Sequence, residues 1–156
     1  MSVETEYSRG VDFSDFSTFR YEESSMSIAD TNPTAHARIV EAIKRELTAN
    51  GLSEAHSYPE LYVTYYADTT KDTTVDSSEL DYSANSQFYL TGTLRQSTRI
   101  RSFDRGTIVV DLWNAESHEL IWRGQVQKYL GRNPDAQLDK IDEGIARIFR
   151  DFPPAP

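Results

Sequence analysis

Arginines at alternate positions are the most chemically suggestive pattern in this sequence: Arg95, Arg99 and Arg101 share one parity with Ser97 and Phe103, and Arg123 follows further along the chain. Residues of one parity line one face of a strand, so a cationic row results if Leu94 and Ile100 turn to a core. A guanidinium presents paired donors in a plane that matches carboxylate or phosphate bidentately. Arg95, Arg99, Arg101 and Arg123 are therefore the candidate binding residues, for an anionic partner. The competing reading is cross-strand pairing with acids such as Asp111, which is common on sheets.

The other chemically capable groups converge less. Asp68, Asp72 and Asp76 recur every four residues and are followed by Glu79 and Asp81. An EF-hand loop alternates its oxygen ligands around a glycine, and this run does neither, so a solvated acidic loop is expected rather than a calcium site. His36, His56 and His118 stand in unlike settings with no His or Glu at the helical spacing of a zinc pair, and all three are expected at the surface. There is no glycine-rich phosphate loop, no G-x-S-x-G and no dinucleotide fingerprint. The sequence contains no cysteine, which excludes disulfides, thiolate metal sites and cysteine nucleophiles. No catalytic residue, metal or cofactor is assigned.

The elements that must position these groups follow from periodicity. Residues 3–7 and 18–21 read as strands. Asn32-Pro33 supplies an N-cap and a first-turn proline for a helix whose stripe is Ile39, Ile43 and Leu47, stopped at Asn50-Gly51. Residues 61–67, LYVTYYA, form a strand, and residues 68–87 an exposed loop. Residues 88–103, 107–113 and 120–129 are expected as an antiparallel meander turning at Asp104-Arg105-Gly106 and at residues 114–119. A second helix starts at Asn133-Pro134, carries Leu138, Ile141, Ile145, Ile148 and Phe149, and ends at Pro153-Pro154.

Two helices with one apolar stripe each cover one face of a sheet. The expected fold class is α+β, a two-layer sandwich of a mixed, mostly antiparallel sheet with both helices on one face. The N-terminal strand and residues 61–67 are expected as the parallel pair joined across the first helix. Alternation places Ile108, Val110, Leu112, Leu120, Trp122 and Val126 under the helices, and Ile121, Arg123, Gln125 and Gln127 on the open face.

At 156 residues the chain fits a single domain, residues 1–156; a domain of that size removes roughly 70% of its unfolded surface from water. A formal charge of −9 argues against nucleic acid as a partner, since phosphate backbones are held by clustered Lys and Arg. No apolar run approaches the roughly 20 residues that span a bilayer, and residues 1–7 lack the basic and apolar regions of a signal peptide. Either the chain is cytosolic or a targeting segment has been removed.

DFSDFSTF (residues 12–19), NPTAHARIVEAIKRELTANGL (32–52), PELYVTYY (59–66), GTIVVDLWNAESHELIWRG (106–124) and FPP (152–154) resemble, in that order, a family of bacterial envelope lipoproteins classed as domain of unknown function 4136. The resemblance covers nearly the whole chain and is most specific over residues 106–124. Family members usually begin with a lipoprotein signal peptide and a lipidated cysteine closely followed by a strand like residues 2–7. The resemblance thus implies a periplasm-facing protein, membrane-anchored through a lipid, with Met1 standing where the processed N-terminus would be. One segment departs from the family: where relatives are often rich in Gly, Tyr and Trp, this chain has TTKDTTVDSSELDYSANSQ (69–87), so what is recognised there is expected to differ.

The resemblance carries no established activity. The expected function is a non-enzymatic, periplasm-facing binding or assembly module; an unrecognised envelope hydrolase is the alternative. The expected partner is an envelope component, whether an anionic polymer, a lipid headgroup or a protein, with no nucleic acid. The chain itself is expected to be a monomer, because arginines blunt the edge of the long strand over residues 88–103.

Overall fold

The computed structural model describes residues 1–76, 99–131 and 133–155, and of residues 71–76 and 99–103 it describes the backbone alone. The elements are β1 (Ser2–Tyr7), a single 3-10 turn (Phe13–Asp15), β2 (Thr18–Tyr21), α1 (Pro33–Ala49), β3 (Ser53–Glu54), β4 (Leu61–Asp76), β5 (Arg99–Asn114), β6 (Leu120–Leu130) and α2 (Pro134–Ile148).

Both helices start as local chemistry dictates. The Asn32 side chain accepts from the Ala35 N–H at 3.1 Å, and that of Asn133 accepts from Asp135 at 3.0 Å, each with a proline in the first turn. These caps occupy backbone donors that have no partner inside the helix. Gly51, at φ 91°, takes the left-handed conformation that ends α1. The buried stripe of α1 is Ala35, Ile39, Ala42, Ile43 and Leu47; that of α2 is Gly144, Ile145 and Ile148. Arg38 ties the helices together, its Nε 2.9 Å from Asp142 Oδ2, with Arg45 3.5 Å from Asp142 Oδ1.

Among the described residues six strands lie in the order β1-β6-β5-β4-β2-β3. Pairing is antiparallel for β1/β6, β6/β5 and β5/β4, and parallel for β4/β2 and β2/β3. The fold is the expected α+β sandwich with a mixed sheet. Its core includes Phe19, Leu61, Val63, Val110, Leu112, Trp122 and Val126 from the sheet against the helix stripes. At one end Trp122 stacks on Phe149 with ring centroids 5.0 Å apart, and Phe152 meets both edge-on.

Four expectations are corrected. Asp104-Arg105-Gly106 does not turn: β5 runs through it, and what pairs with Arg99–Asn114 is β4, from Asp76↔Arg99 to Leu61↔Asn114. Residues 68–76 are accordingly strand rather than loop, while residues 77–98, including most of the expected first meander strand, lie outside the described residues. The strand joined in parallel to β4 is β2 rather than the N-terminal strand, which pairs antiparallel with β6 at the far edge. Finally, a register shift at Leu112/Trp113 sets Leu120 opposite Trp113, and Ile121 packs into the core. A bulge adds one residue and reverses the alternation beyond it, so Ile121 is covered where simple parity would expose it.

Candidate functional site

The β5/β6 register sets Asp111 directly opposite Arg123, on the face away from the helices. Arg123 Nε donates to Asp111 Oδ1 at 2.7 Å and its second nitrogen to Oδ2 at 2.9 Å, a bidentate fork on a carboxylate that is itself 4% exposed. Hydrogen bonding to that carboxylate raises the Arg123 pKa further above its already high value. Thr64 of β4 and Glu6 of β1 flank the pair in register.

Arg99 and Arg101 are on β5 at positions of the same parity as Asp111, and only their backbone is described; Arg95 lies outside the described residues. Arg101 is ten residues from Asp111 along one strand, roughly 33 Å at ~3.3 Å per residue. Arg123 therefore does not adjoin Arg99 and Arg101, and one ligand group could not span both places. Across the β4/β5 ladder Arg99 faces Asp76 and Arg101 faces Thr74.

Beside the Asp111–Arg123 pair the sheet carries an aromatic group that parity did not single out. Trp113 Nε1 donates to Thr64 Oγ1 at 3.0 Å, the Arg20 guanidinium lies 5.1 Å from the centre of the Tyr62 ring, and Tyr62 stacks on His118 at 6.4 Å and 17°. Arg20 is held in turn by Glu22 and by the His56 carbonyl. The signal was present in LYVTYYA, whose tyrosines alternate faces, but their partners come from distant segments.

His36 is not the surface histidine expected. It is half-buried on α1, with Nδ1 against the Tyr65 hydroxyl and Nε2 3.2 Å from Glu23. If Nε2–H donates to Glu23, Nδ1 is left to accept the Tyr65 O–H. Such a chain resembles a relay, yet Tyr65 is 1% exposed and burial pushes its hydroxyl pKa up, the opposite of what an activated phenolate nucleophile needs. Tyr21 stacks on Tyr65 at 6.2 Å; among the described residues its buried hydroxyl has no hydrogen-bond partner, and desolvation raises its pKa strongly too.

On the helix side, a cleft of about 180 Å³ opens between the N-terminal half of α1, the middle of α2 and one end of the sheet. Ile39, Ile108, Val126 and Ile141 line it, with Lys128 and Lys140 at its edge. Among the described residues no three or more His, Asp or Glu side chains gather in a metal-holding arrangement. Asp68, Asp72 and Asp76 lie along β4, and Glu79 and Asp81 lie outside the described residues.

Residues 3–154 match the family described as Domain of unknown function (DUF4136). No curated protein matches the chain. Among solved structures, a PDZ domain protein from Parabacteroides distasonis ATCC 8503 is similar at 15% identity and TM-score 0.63 over 99% of this chain, which spans 36% of that chain's length. The PelC dodecamer from Paraburkholderia phytofirmans is similar at 11% identity and TM-score 0.55, over 96% of each chain. Likenesses at these identities establish the fold alone.

Proposed function

This chain belongs to the DUF4136 family, and from that premise we propose that it is a non-enzymatic binding or assembly module of a bacterial envelope lipoprotein, facing the periplasm. The observation that carries the reading is a two-stranded arm. β6 leaves β5 after the pair Asp104↔Leu130, whereas β4 and β5 continue as a ladder to Asp76↔Arg99. Among the described residues no other strand pairs with this extension, and an unpaired strand edge offers backbone donors and acceptors to a partner. Arg99 and Arg101 sit on it, where a carboxylate- or phosphate-rich partner would meet them. The alternative, an envelope hydrolase, would need a histidine and carboxylate at an accessible pocket; the Glu23–His36–Tyr65 chain ends on a buried phenol instead.

The test is co-sedimentation of the protein with anionic envelope fractions. The double variant Arg99→Ala/Arg101→Ala should sediment less while still melting cooperatively, and raised salt should act in the same direction. Undiminished sedimentation of the variant would end this reading. The lipid anchor is tested separately, by incorporation of labelled palmitate into the native gene product. Light scattering near 17.8 kDa supports a free monomer; a mass many times larger would favour assembly into a large oligomer, as in the PelC dodecamer.

A further inference from the structure

We propose that the cleft between the two helices and the sheet binds the end of a single-chain anionic amphiphile, a fatty-acid carboxylate, with hydrocarbon between the helices and the carboxylate at Lys128.

The walls and the rim differ in chemistry. Ile39 of α1, Ile141 of α2, and Ile108 and Val126 of the sheet supply an apolar lining, and Met1 and Leu130 extend it. Two glycines bring the walls this close: Gly144 places α2 against Val126, and Gly106 lets Leu130 lie over β5, where an added Cβ would come within 3.1 Å of it. The volume, about 180 Å³, equals roughly six waters at ~30 Å³ each. It suits the end of an alkyl chain rather than a whole diacyl lipid.

The rim carries an excess of positive charge. Lys140 Nζ contacts Glu143 Oε2 at 2.8 Å, and Arg147 contacts Oε1 of the same carboxylate at 2.8 Å. The same carboxylate also attracts Lys128, so one negative charge serves three cations, and among the described residues Lys128 has no hydrogen bond or ion pair of its own. Lys128 has the parity of Val126 and Trp122, so it stands on the helix side of β6, and two further depressions meet the cleft at its side chain. Desolvation and then the nearby Lys140 charge lower its pKa. An ammonium that is partly desolvated, unpaired and beside another cation gains most from an incoming anion. Asp68, the acid at the rim, alternates with Ala67 and Thr69 toward the opposite face of the sheet. An apolar slot ending at a lysine that shares one carboxylate with two other cations is complementary to a carboxylate on an alkyl chain.

The arginine arm plays no part in this site, so the two proposals fail separately. Titration calorimetry of the whole protein with decanoate below its micelle concentration, beside decanol and decyltrimethylammonium, is the experiment. Decanoate should bind with one site per chain, decanol about tenfold more weakly, and the cation not measurably. Lys128→Met should cost decanoate about tenfold, the loss of one charge-assisted hydrogen bond, and leave decanol unchanged. Ile141→Trp should abolish binding of both; should that variant lose its cooperative melt, Gln137→Trp at the rim serves instead. Arg99→Ala/Arg101→Ala should bind decanoate as before. Equal binding of the cation, or full decanoate affinity in Lys128→Met, would overturn the proposal, as would binding seen only to anionic vesicles and never to free decanoate.

Discussion

The two faces of the sheet solve opposite problems with the same strands. Toward the helices, Val110, Leu112 and Trp122 meet aliphatic and aromatic side chains, and stability there follows from area removed from water and from close packing. Toward the other side no helix lies among the described residues, and Val109 is 1% and Asp111 4% exposed there; the polar groups of that side meet in directed pairs, Arg123 on Asp111, Trp113 on Thr64 and Arg20 on Tyr62. Each face also contains an exception to its own rule. A phenol network lies under α1, and a charged pair holds the uncovered side together. An uncovered face is therefore not a free one, and Arg123, promising as a ligand group on parity alone, is already engaged.

The comparison can be broken first on the packed face, where the largest effect is expected. A Cβ at Gly124 would fall inside van der Waals contact of both Ile148 Cγ2 and the Trp122 ring. Neither can move far, since Trp122 is stacked on Phe149 and Ile148 is 1% exposed. Gly124→Ala should cost about 3 kcal/mol, at the upper end of overpacking effects, and lower the melting temperature by roughly 6–12 °C. A change under about 0.5 kcal/mol in a urea titration would show that the packing around Trp122 is loose.

On the uncovered face the expected cost is somewhat smaller and has a diagnostic shape. Arg123→Ala leaves the Asp111 carboxylate sequestered without its fork, which should cost about 2 kcal/mol, less than a fully buried pair because Arg123 is partly exposed. Replacing both, Asp111→Ala/Arg123→Ala, should recover at least half of that loss, because no orphaned charge remains. If the double variant instead equals the sum of the singles, the pair is an ordinary surface contact and the distinction between the faces collapses at this point.

Between the helices the expected effect is smaller again and depends on pH. The hydrogen bond from Arg38 holds the Asp142 carboxyl below the ordinary carboxylate range. A group whose pKa is lower in the folded state contributes stability that is complete above its unfolded pKa and is lost as pH falls through the folded one. The melting temperature of the native chain should therefore fall more steeply below about pH 4 than that of Asp142→Asn, whose acid limb should be flatter. Parallel curves for the two proteins would show that Arg38 contributes nothing through this carboxylate.

How much of this was legible in the sequence divides along the range of the forces involved. The two helices could be read residue by residue, because Asn-Pro caps, Gly51 and an apolar stripe act within a few positions. The turn inferred at Asp104-Arg105-Gly106 was wrong because glycine has two uses: here it makes room for Leu130 across the ladder, information held by another strand. The bulge that turns Ile121 inward, the pairing of β1 with β6, and the engagement of Arg123 by Asp111 are likewise properties of register. The cleft was invisible for the same reason, since Ile39, Ile108 and Ile141 meet only after both layers form.

The smallest expected effect has the opposite sign, and it probes the polar exception on the covered face. Among the described residues Tyr21 Oη is buried without a hydrogen-bond partner, although Tyr65 stacks on the ring and His36 meets it edge-on. Those neighbours have spent their capacity on each other: Tyr65 takes the Ile28 N–H and contacts His36, and His36 reaches Glu23 with its remaining nitrogen. A hydroxyl removed from water without compensation lowers stability by about 1–3 kcal/mol, while the ring's stacking area is indifferent to it. Tyr21→Phe should therefore leave the fold intact and raise stability by up to about 1 kcal/mol, or roughly 2–4 °C, only part of the penalty being recovered because the unfolded chain also exposes the ring. Tyr65→Phe should go the other way, since it removes a hydroxyl with partners. If Tyr21→Phe destabilises instead, the hydroxyl has a partner after all, and the Glu23–His36–Tyr65 chain extends one member further than its hydrogen bonds indicate.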